Sequence, residues 1–233
     1  MKQKKLPSFI RNPWLVEFFQ SKPGRVLSNW VLQGMLYMNP VEVAVKLGLD
    51  VLLTVLWWLL IGQQPSAMIW LAAWFLAHTT NWLINGQPVA MRRHLDWGRN
   101  DPRRFIDYIE TLERRLQKQS CLAAAASFGS LSKGGYKDTS DIDLRVVMRP
   151  GLVNHLRAAI FCVVERLRAA INWFPLDLYA FDLEELLRKM SREEIPVIFY
   201  DPDGMLAQTY KERVSFPVFR ADFRRRVLGE TIS

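Results

Sequence analysis

The chain has 233 residues, 31 Lys and Arg against 23 Asp and Glu, a net charge of +8, and an apolar half. The charge is unevenly spread: Val51 to Met91 contains no Asp, Glu, Lys or Arg but holds five of the nine tryptophans. Such a division excludes a disordered chain, a disulfide-stapled secreted module and a collagen or coiled-coil rod, and it argues against a plain soluble single domain.

At the N-terminus, Lys2, Lys4 and Lys5 are followed by Pro7, Arg11, Pro13 and Glu17, which interrupt any export-signal core, so no cleaved signal is expected. Pro13 to Gln20 and Gly24 to Met38 read as short amphipathic segments lying on a membrane surface. Val51 to Ile61 is too short to span alone. Extended back to Val41 it gives roughly 31 Å of helix at about 1.5 Å per residue. The extension brings in Lys46 and Asp50, four apart on one helical face, where they are expected to pair or to reach toward headgroups. Ala67 to Ile84, without a formal charge, has the length of a second span. Gly62 to Ser66 is turn chemistry with Ser66 as a cap, so the pair reads as a transmembrane hairpin; the alternative is a buried helical hairpin in a soluble protein.

Orientation follows from the basic residues. Lys2, Lys4, Lys5, Arg11, Lys22 and Arg25 precede the hairpin and Arg92, Arg93, Arg99, Arg103 and Arg104 follow it, while the turn has none. The expectation is a multi-pass protein of the cell membrane with both termini cytoplasmic. These residues also account for much of the positive charge, so nucleic acid is a disfavoured partner. The five tryptophans suit interfacial or packed positions, and His78 reads as a packing residue with no intramembrane acid beside it. Two lone helices offer each other little burial, so homo-oligomer formation through the hairpin is a further expectation.

After Asn100 the pattern becomes that of a folded domain. Asp101 caps a helix with Pro102 at its first position and Phe105, Ile106, Ile109, Leu112 and Leu116 on one face. The small-residue run from Cys121 ends in Gly129-Ser130 and is followed by a turn-rich stretch to Ser140 and then by DIDLRVVM: strand, loop, strand. Residues 152–171 have helical periodicity, and PLDLYAF, 175–181, returns to a strand. Cys121 and Cys162, far apart and in apolar surroundings, are expected to be buried thiols in a reducing compartment. Phe219 to Arg226 is an amphipathic basic tail, read as solvated or lipid-facing. His155 and His94 are read as surface, packing or juxtamembrane residues.

The chemistry concentrates in a few positions. Asp141 and Asp143, two apart, project from one face of an extended strand, and such a pair repels unless a cation lies between them. Asp177 on an adjoining strand would complete an oxygen cage of the kind magnesium prefers, with phosphate oxygens as remaining ligands. Asp182 competes with Asp177 for that place but is an odd number of positions away and more naturally caps a helix from Leu183. Gly129 and Ser130 can offer backbone N–H groups and a hydroxyl to phosphates, and Lys133 a positive charge.

GSLSKGGYKDTSDIDLRVV resembles the signature of the nucleotidyltransferase superfamily related to DNA polymerase beta, and LDLY with Asp177 resembles its third acidic strand. The later IPVIFYDPDGML is similar to an edge strand and turn of such domains. The resemblance implies an α+β fold: a small mixed β-sheet with flanking helices over residues 92–233, preceded by an all-α membrane hairpin over residues 1–91. It also implies two Mg2+ ions, with Mn2+ as a substitute, held by Asp141, Asp143 and Asp177, which are the catalytic residues. Asp177 would help deprotonate the acceptor, and Gly129, Ser130 and Lys133 would grip an NTP such as ATP. The sequence departs from many small members in having Leu131-Ser132-Lys133-Gly134 where Ala-Arg-Gly follows the Gly-Ser.

Together the halves imply a membrane-anchored transferase moving a nucleoside monophosphate to a membrane-associated acceptor, whether lipid phosphate, lipid-linked glycan or protein, with release of pyrophosphate. The alternative is a catalytically weak nucleotide sensor or oligomeric membrane assembly module.

Overall fold

The computed structural model describes residues 12–62, 66–91 and 99–230, without the side chains of Pro13, Leu15, Ser130 and Lys133. Lys2, Lys4, Lys5, Arg11, Arg92, Arg93, His94 and most of the Gly62–Ser66 turn therefore lie outside the described residues.

Helices α1 (Pro13–Gln20) and α2 (Lys22–Leu32) each begin at a side-chain cap, Asn12 and Ser21, with proline in the first turn. A 3-10 turn at Met35–Tyr37 leads to α3 (Pro40–Ile61), capped by Asn39, whose Oδ1 accepts from the backbone N–H groups of Val41 and Glu42. Helix α4 (Ala67–Ile84) runs beside α3, and the short α5 (Gln87–Ala90) follows. Ser66 occupies the N-cap position of α4 without a side-chain cap bond.

Among the described residues one helix, α3, is long and apolar enough to cross a membrane. Only 11% of its most apolar stretch is buried within the protein, which is unlike the core helix of a soluble domain. Of the two expected spans, one helix of spanning character is thus found among the described residues, and α4 does not reach the same apolarity. The reason lies in the second half of α4, where His78, Thr79, Thr80 and Asn81 spend its polarity on neighbouring helices. Trp57 donates to Thr80, Trp30 donates to Thr79, and Asn81 Nδ2 donates to Asp50 Oδ1 at 2.8 Å. His78 Nδ1 lies 3.0 Å from Asp50 Oδ2 and its Nε2 2.9 Å from the Trp30 carbonyl. An acid thus does accompany His78, contrary to the sequence expectation. Asp50 and Lys46 neither pair nor reach outward: both side chains are buried, and Lys46 Nζ has no hydrogen-bond partner. Nor is α2 merely a surface segment, because Trp30 packs on Trp74, Phe75 and His78 and Gln33 donates to the His78 carbonyl.

The remainder forms the mixed-sheet domain. Helix α6 (Pro102–Leu116), capped by Asp101, buries Phe105, Ile106, Ile109, Leu112 and Leu116 as its spacing predicts. Then come β1 (Leu122–Phe128), a 3-10 turn (Ser130–Lys133), β2 (Ile142–Met148), α7 (Leu152–Ile171), β3 (Leu176–Phe181) and α8 (Leu183–Lys189). The chain ends with β4 (Val197–Tyr200), α9 (Met205–Thr209), β5 (Val214–Ser215) and α10 (Phe216–Leu228). The sheet order is β3-β2-β1-β4-β5, with β1 antiparallel to β2 and β4, and the pairs β2/β3 and β4/β5 parallel. Helix α7 is the crossover that a parallel β2/β3 pair requires. Val197–Tyr200 is consequently an inner strand and not the expected edge, since β5 pairs outside it.

One core lies between the sheet and α6, α7 and α10; a second, around Ala124, Ala126, Phe128 and Tyr179, lies under α8 and α9. Cys121 and Cys162 are buried free thiols in the first. Helix α10 is amphipathic, as its sequence suggests: Phe216, Phe219 and Phe223 enter the core, Arg220, Arg225 and Arg226 stay exposed, and Arg224 pairs with Glu110 of α6 at 2.8 Å.

The outer edge of β3 is closed by side chains instead of a further strand. Asn39 Nδ2 donates to the Ala180 carbonyl at 2.7 Å, and the Ala180 N–H donates to Glu42 Oε2 at 2.9 Å. Arg166 of α7 donates to the Leu178 carbonyl and, at 2.6 Å, to Glu42 Oε1. Glu42 and Arg166 are both almost wholly buried. The first turn of α3 is thus built into the strand that carries Asp177.

Candidate active site

Strand pairing decides where the acids meet. Asp143 stands in register with Phe128 at the end of β1 and with Asp177 across the parallel β2/β3 pair. Asp141 precedes β2 by one residue, two positions before Asp143. Gly129 follows β1 with φ +98°, and a Cβ there would come within 3.1 Å of Asp143 Oδ2. A side chain at 129 would therefore meet both an unfavourable backbone conformation and the carboxylate. Asp141, Asp143, Asp177 and the Gly129 backbone converge at one end of three adjacent strands. The backbone of Ser130 and Lys133 forms the 3-10 turn beyond Gly129, and Ser132 Oγ ties that turn back by donating to the Gly129 carbonyl at 2.9 Å.

The electrostatics follow from this crowding. Burial pushes the Asp143 carboxyl up to about 7, the charges of Asp141 and Asp177 push in the same direction, and Arg145 opposes them. Arg145 is the residue the sequence reading missed. Two positions after Asp143 on β2, it shares that residue's face of the sheet. Its Nη2 lies 2.9 Å from Asp177 Oδ2 and 3.7 Å from Asp143 Oδ1, and its Nη1 donates to the Asp177 carbonyl at 2.8 Å. The guanidinium also covers the ring of Tyr179 at 5.0 Å. The signal was present as DIDLR, but only the β2/β3 register shows what the arginine faces. Asp182 caps α8 through Glu185 N–H at 2.7 Å, as its position suggested, and stays out of this group.

Among the described residues, no three His, Cys, Asp or Glu side chains are gathered closely enough to hold a metal ion as they stand. The donor chemistry nevertheless fits a hard divalent cation: carboxylates face one another, and one of them, Asp143, is pushed up to about 7 by burial and by the others' charge. Asp143 and Asp177 are the pair that would hold it, with Asp141 beside them.

Beyond the loop lies a cleft of about 600 Å3 between residues 131–136 and α10. Tyr136, Val218 and Phe219 are among its apolar walls, and Arg225 and Arg226, both paired with Asp222, are on its rim. It is of a size that suits a small organic ligand.

Residues 109–200 match the family model described as nucleotidyltransferase domain. The match runs from α6 through β4 and includes Gly129, Asp141, Asp143 and Asp177. That segment of the chain is a nucleotidyltransferase domain by this match, which supports nucleotide transfer as the class of chemistry. A search of curated proteins found no match to the chain.

Proposed function

We propose that this protein is a membrane-anchored, metal-dependent nucleotidyltransferase that moves a nucleoside monophosphate from an NTP to a membrane-associated acceptor and releases pyrophosphate. The observation that carries the reading is the register of Asp143 with Asp177, with Gly129 against the Asp143 carboxylate, inside the segment that matches the nucleotidyltransferase domain. The spanning character of α3 supports a membrane site of action, where protein and acceptor share one surface and meet at raised effective concentration. In this reading residues 1–91 anchor the protein, residues 92–233 carry the chemistry, and the catalytic part faces the cytoplasm.

The residues divide the work. Gly129, lacking a side chain, lets the triphosphate approach the backbone at the end of β1, and Ser130 and Lys133 grip it from the following turn. The cleft beside that turn receives the nucleoside. Asp141, Asp143 and Asp177 hold the cation site, and Asp177 stands to take the acceptor's proton as its oxygen attacks the α-phosphorus. The bond from that phosphorus to the bridging oxygen breaks, and pyrophosphate leaves. A bound Mg2+ or Mn2+ supplies Lewis acidity at the α-phosphate and charge for the leaving pyrophosphate.

The test is pyrophosphate release by the full chain in membrane lipid with Mg2+ and each NTP, beside Asp141→Asn. Release by the wild type, lost in the variant, supports the transferase. No release with any NTP, from folded protein that still binds nucleotide, would favour a sensor. Carbonate extraction of membranes checks the anchor: the protein should stay in the pellet, and its appearance in the supernatant would overturn the spanning assignment.

A further inference from the structure

We propose that Arg145 is a resident counter-cation that competes with a divalent ion for Asp143 and Asp177, so that the metal enters this site with the nucleotide and not before it. The inference rests on the transferase reading for its significance, but the competition itself is a property of these side chains.

The geometry makes the case. Asp143 Oδ1 and Asp177 Oδ2 point at a single nitrogen of Arg145, 3.7 and 2.9 Å away. The same guanidinium is fixed from behind by the Leu144 and Asp177 carbonyls, at 3.0 and 2.8 Å, and by the Tyr179 ring. Tyr179 is in turn covered by Arg166 at 5.4 Å. Arg145 is 10% exposed at its side chain, whereas the two carboxylates are each about one third exposed. The arginine is therefore the fixed partner, and the acids are open on the solvent side from which an ion arrives. A planar, permanently charged guanidinium satisfies carboxylates well without neutralising more than one charge.

Two consequences follow. A bare aquo ion must replace the bond from Arg145 to Asp177 using only carboxylates in return, so its affinity is low. An ion carried on a triphosphate brings additional ligands, and the phosphates bring negative charge that Arg145 can also face. Ion binding and nucleotide binding are thus positively coupled through the Arg145–Asp177 bond that the ion must replace, and by linkage each raises the affinity of the other equally.

The experiment measures free Mn2+ by electron paramagnetic resonance during titration of the full chain in lipid, without nucleotide. Arg145→Gln should bind Mn2+ about ten-fold or more tightly than wild type, and Arg145→Lys, which keeps the charge, should stay near the wild type. Unchanged or weaker Mn2+ binding in folded Arg145→Gln overturns the proposal. Should that variant fail to fold, wild type alone decides. Its Mn2+ affinity must rise at least ten-fold when a non-hydrolysable NTP analogue is present, beyond the Mn2+ that the analogue binds in free solution. Equal affinity with and without the analogue overturns the proposal. Failure of the transferase reading would show separately, as absence of pyrophosphate release by wild type in which Arg145→Gln still tightens Mn2+.

Discussion

Asp143→Asn should lower pyrophosphate release by on the order of 10³-fold, the scale of losing a charge aimed at the reacting centre, and yet make the protein harder to unfold at pH 8. The two effects have one cause. In the folded protein, burial, Asp141 and Asp177 hold the Asp143 carboxyl up at about 7, far above the ordinary carboxylate range. Between about pH 4 and pH 7 the folded state therefore binds more protons at this group than the unfolded chain does, so the group's contribution to stability falls as pH rises. Below about pH 4 the carboxyl is protonated in both states and no penalty remains. Asparagine never ionises and escapes the loss. With a chelator present, the variant should gain about 1–2 kcal/mol over wild type at pH 8, allowing for solvent screening of a carboxylate about one third exposed. The advantage should vanish toward pH 4. Thermal unfolding of both proteins at the two pH values measures it, and equal stability at pH 8 would show that the carboxylate crowding carries no cost. Saturating Mg2+ with nucleotide should narrow the gap by stabilising only the wild type.

The second large effect is expected far from the acids. Glu42→Ala should destabilise the full chain by about 3–5 kcal/mol, because it leaves the Arg166 guanidinium buried without its partner. It also removes the acceptor for the Ala180 N–H, at the outer edge of β3. For a chain of this size the loss corresponds to a fall in melting temperature of roughly 6–20 °C. Glu42→Gln, which still offers an oxygen to Ala180, should lose less. Replacing Glu42 and Arg166 together by apolar residues should recover part of the loss, since a buried pair is costly mainly when half of it is removed. Because Asp177 is three residues from Ala180 on the same strand, Glu42→Ala should also lower turnover at temperatures where the protein remains folded. A variant as stable and as active as wild type would mean that β3 needs no support from α3. The buried pair makes a segment of 92–233 alone a poor enzyme by the same argument.

Much of the mixed-sheet half can be read from local sequence. The cap at Asp101, the helical stripe of α6, the period of residues 152–171 and the extended run at 176–181 are short-range patterns, and the structure follows them nearly residue for residue. Two acids on one strand face and a glycine at a strand end are also local facts. What local patterns do not contain is register. That Asp177 faces Asp143, and that Arg145 therefore lies between two carboxylates, depends on how β2 and β3 align. The same holds for charge partners on separate helices. Asp50 reads as an awkward acid near the end of an apolar segment until α4 brings His78 and Asn81 to it. Phe216, Phe219 and Phe223 have core spacing in plain view, but the four basic residues among and after them point attention to the surface. Strand β4 looks terminal because its neighbour β5 is only two residues long.

The clasp between α3 and β3 sets an order of events during synthesis. Glu42 and Arg166 are separated by 124 residues, which at about 5–20 residues per second is roughly 6–25 s of translation. In the membrane-anchored reading proposed above, the apolar length of α3 is free to partition into the bilayer throughout that interval, while its first turn holds an unmatched carboxylate that favours water. On that reading the helix enters with its depth already limited at one end. When α7 and β3 emerge they would dock onto a polar handle near the membrane surface, which would bring the strand of Asp177 to its final place beside the lipid.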